Sequence, residues 1–183
     1  MRAARDAGGC FFPVFLYNKA KKEEKRMKTL VLYFSAERGT TKAVAERLAA
    51  AVDAELFPIV PEKPYSAADL NYMNPLAGCN REKFGRKGVP AADRPADVSG
   101  YALVLVGFPI WYGGAPTVVN DFLQSLNLAG KRVAAFATSG GSPIGKTAAK
   151  LAPYLPGAEL LDARRFDADV SAEELRAWVE GLA

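Results

Sequence analysis

The stretch Thr29-Leu-Val-Leu-Tyr-Phe34 is an unbroken run of apolar, strand-forming residues, and Ser35-Ala-Glu-Arg-Gly-Thr-Thr41 follows it directly. A strand that is apolar throughout is typical of a parallel sheet covered on both faces. After the polar turn, Val44, Leu48 and Val52 recur every four residues, which predicts a helix with one apolar stripe. A strand, a glycine-containing turn and a helix in this order indicate an α/β protein.

The same alternation continues along the chain, so that the sequence predicts about five strand–helix units. Further strands are predicted at 56–60, 101–108, 131–138 and 158–166, and further helices at 118–126, 142–155 and 171–182. The segment 61–100 holds five of the twelve prolines and predicts a short helix near Ser66 within a long loop. Alternating strands and helices indicate a three-layer α/β/α sandwich around a doubly wound parallel sheet.

Composition limits the chemistry that the side chains can supply. The chain has 183 residues, enough for one ordinary domain, and it contains no His. His-dependent triads, His–zinc sites and imidazole general bases are therefore excluded. Cys10 and Cys79 are too few for a disulfide framework or a four-thiolate metal site, and they fit unpaired thiols of a reducing, cytoplasmic compartment. We expect no metal and no catalytic side chain, so any chemistry would come from a bound cofactor.

The positive charge of the chain is concentrated at its N-terminus. The net charge is +4, and residues 1–26 contain seven basic and three acidic residues, which leaves 17 of each sign in the rest. The body is thus neutral and predicts no nucleic-acid surface. The apolar run 10–17 is shorter than the roughly 20 residues of a membrane span. We interpret 1–26 as an appendage outside a domain of residues 27–183, with an anchor or a basic tail for an acidic surface as the alternative.

Three turns follow predicted strands and should meet at the carboxyl edge of the sheet, where such sheets bind ligands. The first, 35–41, precedes a helix N-terminus and holds three hydroxyl side chains, which suits a terminal phosphate monoester. The alternative is an ordinary hydroxyl cap without a ligand. The second, 109–116, carries Trp111 and Tyr112, large groups that a planar ring could cover. In the alternative, these two residues pack against the loop 61–100.

The third turn, Gly140-Gly-Ser-Pro-Ile-Gly-Lys-Thr147, matches the P-loop pattern G-x-x-x-x-G-K-S/T. However, Pro143 removes a backbone N–H from the middle of the phosphate cradle. The pair Ser142-Pro143 is also a typical helix start, which would place Lys146 inside the helix rather than at its mouth. A nucleotide triphosphate site is therefore the minor interpretation of this turn.

Together, these turns resemble the flavodoxin family, in particular its small bacterial branch that binds flavin mononucleotide (FMN). Leu32-Tyr-Phe-Ser35 with Gly39-Thr-Thr41 is similar to the family's phosphate loop. Val106-Gly-Phe-Pro-Ile-Trp-Tyr-Gly113 with Ala115-Pro116 is similar to its first flavin-contacting loop, and 136–142 is similar to its second. The resemblance covers about residues 28–183. The phosphate loop departs from the family pattern, because Glu37-Arg38 makes it one residue longer.

The resemblance implies a flavodoxin-like, doubly wound five-stranded parallel sheet that holds FMN without a covalent bond. The first turn would bind the phosphate, the second would cover the ring, and the third would offer backbone groups to the pyrimidine edge. Arg38 would touch the phosphate or face water. The cofactor-binding residues implied are Ser35, Arg38, Gly39, Thr40, Thr41, Pro109, Ile110, Trp111, Tyr112, Gly113, Thr138, Ser139, Gly140 and Gly141.

Two redox functions follow from the resemblance. The first is electron transfer between partner proteins, and the alternative is an NAD(P)H-dependent FMN reductase of quinones or similar small acceptors. A neutral body disfavours a charge-steered carrier, whereas the lack of an NAD(P)H motif disfavours a self-sufficient reductase. A flavodoxin-shaped binding module without cofactor is a third hypothesis. Phosphorelay receivers share the expected strand order, but Phe34-Ser35-Ala36 stands where they need an acidic cluster. The oligomeric state stays open.

Overall fold

The computed structural model describes residues 28–36, 38–66, 68–70, 73–80, 88–93 and 97–182. The interpretation of the tail 1–26 falls outside the described residues, as do Cys10 and Glu37. In the part of the chain that is described, no helix combines the length and the apolar character that a membrane crossing requires.

Five parallel strands form the central sheet. They are β1 Thr29–Tyr33, β2 Glu55–Pro58, β3 Leu103–Pro109, β4 Arg132–Thr138 and β5 Glu159–Arg165. Their order across the sheet is β2-β1-β3-β4-β5, and every neighbouring pair is parallel. The chain therefore winds from β1 to one edge, returns past β1 to β3, and winds to the other edge. The predicted doubly wound five-stranded sheet is confirmed.

The helices cover both faces of this sheet. They are α1 Thr40–Val52, α2 Thr117–Gln124, α3 Thr147–Leu151 and α4 Ala172–Glu180, with a 3-10 turn Ala152–Tyr154 after α3. On one face, Leu48 of α1 and Trp178 of α4 belong to a single apolar cluster with the strands. On the other face, Phe122 of α2 and Leu151 of α3 belong to a second cluster. These two clusters confirm the three-layer sandwich.

The structure corrects the predicted start of the third of these helices. Helix α3 begins at Thr147 with Lys146 as its N-cap, so the expected start at Ser142-Pro143 is wrong. Ser139 Oγ instead accepts hydrogen bonds from the backbone N–H groups of Gly141 and Ser142 at 3.2 and 2.7 Å. Such local side-chain bonds give the backbone an alternative to a helix. Lys146 consequently lies at the N-terminal end of α3. The sequence-based prediction that it lies inside the helix is wrong.

Strands β3 and β4 are in contact at a position that only glycine can occupy. Gly107 lies opposite Phe136 in the strand register, and the Phe136 ring is fully buried. A Cβ atom added to Gly107 would lie 2.1 Å from Cζ of that ring, far inside van der Waals contact. The missing side chain lets the aromatic ring lie directly against the β3 backbone.

We expect Gly107→Ala to lower the free energy of unfolding by about 1–3 kcal/mol or more, because overpacking forces the ring or the strand to move. Urea denaturation of the purified protein measures this change. Gly100→Ala is the matched control, since nothing lies within 4 Å of a Cβ at that position. The control should stay within about 0.5 kcal/mol of the parent protein. Equal losses in the two variants would contradict the steric explanation.

Candidate functional site

The carboxyl ends of β1, β3 and β4 enclose a cleft of about 710 Å³. The strand order reverses between β1 and β3, and parallel sheets bind ligands at such points. Among the predicted site residues, those that line the cleft are Ser35, Arg38, Gly39, Thr40, Thr41, Pro109, Ile110, Trp111, Thr138, Ser139 and Gly140. All three predicted turns therefore contribute to one cavity.

The first turn leads into the N-terminus of α1, where only part of the backbone N–H groups find an acceptor among the described residues. The N-cap residue is Gly39, with a φ of 70° that glycine adopts without steric cost, and it makes no side-chain cap. Ser35 Oγ accepts a hydrogen bond of 3.2 Å from Lys42 N. The N–H groups of Thr40 and Thr41 find no acceptor among the residues that the structure describes. The positive end of a 13-residue helix thus presents two unused donors beside the cleft.

Two buried threonines connect the first turn to the third. The side-chain oxygens of Thr41 and Thr138 are 2.8 Å apart, and these residues are only 2% and 3% exposed. One hydrogen lies between the two oxygens, so the hydroxyl that accepts this bond keeps its own hydrogen for another partner. Both residues belong to the described lining of the cleft, so one hydroxyl donor of this pair is not used within the pair itself.

The charge of the cleft is positive. Arg38 is the charged side chain in the described lining, and no described carboxylate contributes to it. A guanidinium group, a helix N-terminus and several hydroxyl groups are each suited to an oxyanion. The described part of the cleft therefore favours a ligand with a phosphate or a similar anionic group.

The second turn is held in place by contacts of the Trp111 ring and by a backbone hydrogen bond of the neighbouring Ile110. The Trp111 ring packs edge-on against Phe34 and Tyr65, with ring centroids 5.6 and 5.3 Å apart. Tyr65 belongs to the segment 61–100, so the contact predicted as the alternative to ring stacking is present. Trp111 nevertheless lines the cleft as well. The neighbouring Ile110 N–H donates to the carbonyl oxygen of Thr138 at 2.9 Å, which ties this turn to the end of β4.

Three of the predicted site residues lie outside the described lining of this cleft. Tyr112 lines a second cleft of about 420 Å³, whereas Gly113 and Gly141 line neither of the two. The Tyr112 hydroxyl donates to Asn80 Oδ1 and lies 3.8 Å from the sulfur of Cys79, a buried free thiol. Burial, followed by the hydrogen bond to Cys79, raises the pKa of the Tyr112 phenol. This phenol is therefore uncharged at neutral pH.

The P-loop-like turn 140–147 does not build a nucleotide cradle in this structure. Thr147 is buried, and its hydroxyl donates to the Ile144 carbonyl at 2.5 Å instead of facing a cavity. Lys146 and Thr147 are absent from the described lining of both clefts. The segment 140–147 matches the P-loop sequence pattern but does not have the geometry of a P-loop.

Comparison with known proteins places the whole domain in one family. The model of the flavodoxin family matches residues 28–182. The chain belongs to the flavodoxin family. Flavodoxins are themselves the standard example of ligand binding at the point where strand order reverses between β1 and β3.

Solved structures agree with this assignment. A proposed flavoprotein from Bacteroides eggerthii is 36% identical with a TM-score of 0.79, covering 85% of this chain and 98% of that one. A second, from Bacteroides uniformis, is 34% identical with a TM-score of 0.77 and covers 84% and 98%. The flavoprotein from Lactobacillus acidophilus, solved in complex with FMN, shares the fold at 24% identity and a TM-score of 0.65, covering 84% and 99%. No curated protein sequence matches the chain.

Sequence reasoning missed four apolar contributions to the flavodoxin cleft. Ala36, Leu70, Phe166 and Ala168 line it without having been predicted. Phe166 directly follows β5, and its N–H donates to the Ala137 carbonyl at 2.8 Å, so the strand end lies beside the third turn. Its position at the end of a predicted strand could have identified Phe166 as a lining residue. Leu70 lies in the segment 61–100, where no spacing pattern singles it out.

Double substitution tests the Thr41–Thr138 hydrogen bond. Thr41→Val and Thr138→Val should each lower the free energy of unfolding by about 1–3 kcal/mol, because each leaves one buried hydroxyl without its partner. The double variant should cost less than the sum of the two, since removing both polar groups leaves neither unsatisfied. Urea denaturation of the protein without added ligand gives all three values. Strictly additive losses would show that the two hydroxyls do not interact.

Proposed function

We propose that the protein binds FMN non-covalently in the cleft between the three turns and carries electrons between partner proteins. The observation that carries this proposal is the N-terminus of α1, where the N–H groups of Thr40 and Thr41, which have no described acceptor, adjoin a hydroxyl-lined cavity. Membership of the flavodoxin family and the FMN complex of the Lactobacillus acidophilus protein support the same cofactor. The free thiol of Cys79 supports a reducing compartment such as the cytoplasm.

In this proposal the first turn holds the phosphate. The backbone N–H groups of Thr40 and Thr41 donate to it, and so does the Thr40 hydroxyl, which has no partner in the described structure. Ser35 keeps a donor for the same purpose, because its hydroxyl bond to the Ala36 carbonyl is long, at 3.4 Å. Gly39 allows close approach, since nothing lies within 4 Å of a Cβ built there. Arg38 adds positive charge at the exposed rim of the turn.

The flavin ring would lie between the second and third turns. Ile110 and Trp111, which line the cleft, would cover it, and backbone groups of 138–140 would meet its pyrimidine edge. When bound, FMN supplies the ability to accept and release one or two electrons. The apolar lining from Leu70, Trp111 and Phe166 would tune this ability, because apolar surroundings raise the free energy of a charged ring.

The side chains of the cleft favour a carrier over an enzyme with its own acid–base group. No carboxylate, thiol or lysine ammonium belongs to the described lining. A protein that only binds the cofactor, orients it and sets its potential needs none of these groups. The chemistry would therefore depend on which partner reaches the cofactor.

Reduction of a quinone or a similar small acceptor at the expense of NAD(P)H is the second candidate. The observation that favours it is the positive cleft, since Arg38 without a described neighbouring carboxylate attracts an anionic donor. In addition, the body of the chain has equal numbers of acidic and basic residues and lacks the strong field that accelerates encounters between carrier proteins.

Purified protein should be yellow, or should become so on addition of FMN. Titration of cofactor-free protein, followed by flavin absorbance and fluorescence quenching, should reach one FMN per chain. Cofactor-free protein that ignores added FMN would remove both redox functions and leave the hypothesis of a binding module.

Thr40→Val should weaken FMN binding by about 1–3 kcal/mol, a factor of roughly 5–150 in Kd, because it deletes a hydroxyl donor to the phosphate. Thr117→Val is the matched control, since Thr117 lines the second cleft. Its Kd should stay within about threefold of the parent value. Riboflavin, which lacks the phosphate, should bind both variants equally. An unchanged Kd for Thr40→Val would move the phosphate elsewhere.

Reduction experiments separate the two candidate functions. Rapid loss of the flavin absorbance on addition of NADPH alone would favour the reductase. Stepwise chemical reduction that accumulates one-electron-reduced protein, without any reaction with NADPH, would favour the carrier. We expect the second result.

A further inference from the structure

The turn that follows β3 has an unfavourable backbone conformation. Trp111 and Gly114 are joined by two backbone hydrogen bonds of 2.9 and 3.1 Å, and both residues between them have positive φ, 52° at Tyr112 and 71° at Gly113. This is the pattern of a type I′ turn, which prefers glycine or asparagine at its first central position. A tyrosine there is strained. Groups outside the turn must therefore stabilise it.

Lys150 of α3 is one of those groups. Its Nζ atom donates to the Tyr112 carbonyl at 2.9 Å. A Cβ atom on Gly113 would lie 3.3 Å from this Nζ, and one on Gly114 would lie 3.2 Å from Cδ of the same side chain. The lysine stem thus lies across the turn in the space that the two glycines leave free.

The Tyr112 side chain is held separately, by its hydroxyl contacts with Asn80 and Cys79. The turn is therefore fixed at the carbonyl by Lys150 and at the phenol by the segment 73–80. Because the fixation of the carbonyl depends on one side chain of another element, it can be removed without altering the turn sequence.

The charge of Lys150 is not neutralised by any carboxylate within the described residues. Lys150 and Arg38 are the charged side chains in the described linings of the two clefts, and Trp111 lines both of these clefts. Lys150 is exposed and lines the adjoining cleft, and a cation beside a cofactor site lowers the free energy of the cofactor form that carries more negative charge.

We propose that Lys150 is a positioning residue that holds the Trp111–Gly114 turn through the Tyr112 carbonyl and whose positive charge favours reduced FMN over oxidised FMN. This inference rests on the proposed binding of FMN. By thermodynamic linkage, a group that binds the reduced cofactor more tightly than the oxidised one raises the midpoint potential. Loss of the charge therefore lowers the potential.

The test compares Lys150→Met, which keeps the aliphatic stem, with Lys150→Arg, which keeps the charge. Lys146→Met is the control, because Lys146 is an exposed lysine of the same segment without a place in either described lining. For each FMN-loaded protein, spectroelectrochemistry gives the midpoint potential and titration gives the Kd of oxidised FMN. Near-ultraviolet circular dichroism of the cofactor-free proteins reports the surroundings of the aromatic side chains, Trp111 and Tyr112 among them.

We expect Lys150→Met to lower the midpoint potential at least twice as far as Lys146→Met, and Lys150→Arg to restore at least half of the difference. The circular dichroism signal should change in Lys150→Met alone. High salt should shrink the shift in potential through screening of the charge. If Lys150→Met does not fold, Lys150→Gln provides the neutral side chain.

A potential that falls equally in Lys150→Met and Lys146→Met would overturn this inference while leaving FMN binding intact. An unchanged circular dichroism signal with a lowered potential would overturn the positioning role. A parent protein that binds no FMN would overturn the proposed function and this inference together.

Discussion

Strand β1 pairs in parallel with β3, from Thr29 opposite Leu103 to Tyr33 opposite Gly107. This register brings the carboxyl ends of two strands, which are separated by some seventy residues of chain, to the same edge of the sheet. The connection after β1 runs to one side and the connection after β3 to the other, so a gap opens between them. The polar groups of the candidate site lie on turns that border this gap.

The site combines a rigid base with groups that are not satisfied by the protein itself. The base is rigid because Phe136 lies against the Gly107 backbone and because the Thr138 carbonyl accepts from Ile110. Above it, the N–H groups of Thr40 and Thr41 have no described acceptor. Unused donors at a helix end weaken folding slightly and strengthen the binding of an anion. This arrangement is expected where a protein is selected to hold a ligand.

The fold could be predicted from sequence to a large extent, because the central strands β1, β3 and β4 are buried on both faces and show as apolar runs, whereas the edge strands β2 and β5 are partly exposed. The runs at β1, β3 and β4 are short and each is followed by a glycine-containing turn and a helical pattern, which favours buried strands. The start of α3 could not be predicted, since Ser142-Pro143 has the composition of a helix start. Only the hydrogen bonds of Ser139 to the following N–H groups show that this segment is a turn.

For the site, the turns could be predicted because glycines and hydroxyls follow apolar runs, but the direction of individual side chains could not. Tyr112 stands next to Trp111 in sequence, yet its hydroxyl bonds to Asn80, and positive φ at Tyr112 gives no sign in the sequence that would reveal it. The place of Leu70 in the lining depends on the path of the described residues around Tyr65 and Leu70 beside the cleft. That path is set by tertiary contacts such as Tyr65 on Trp111 rather than by local pattern.

The hydroxyl pair of Thr41 and Thr138 has a further property, which follows from its symmetry. Either oxygen can be the donor, so the direction of the shared hydrogen can reverse by two small rotations while both oxygen atoms stay 2.8 Å apart. The uncommitted hydrogen then moves from one turn to the other. A protein with this pair can meet an acceptor that arrives beside α1 or one that arrives beside β4 without rearranging its backbone. The position of the free hydroxyl hydrogen is thus adjustable, although the positions of the two oxygen atoms are fixed.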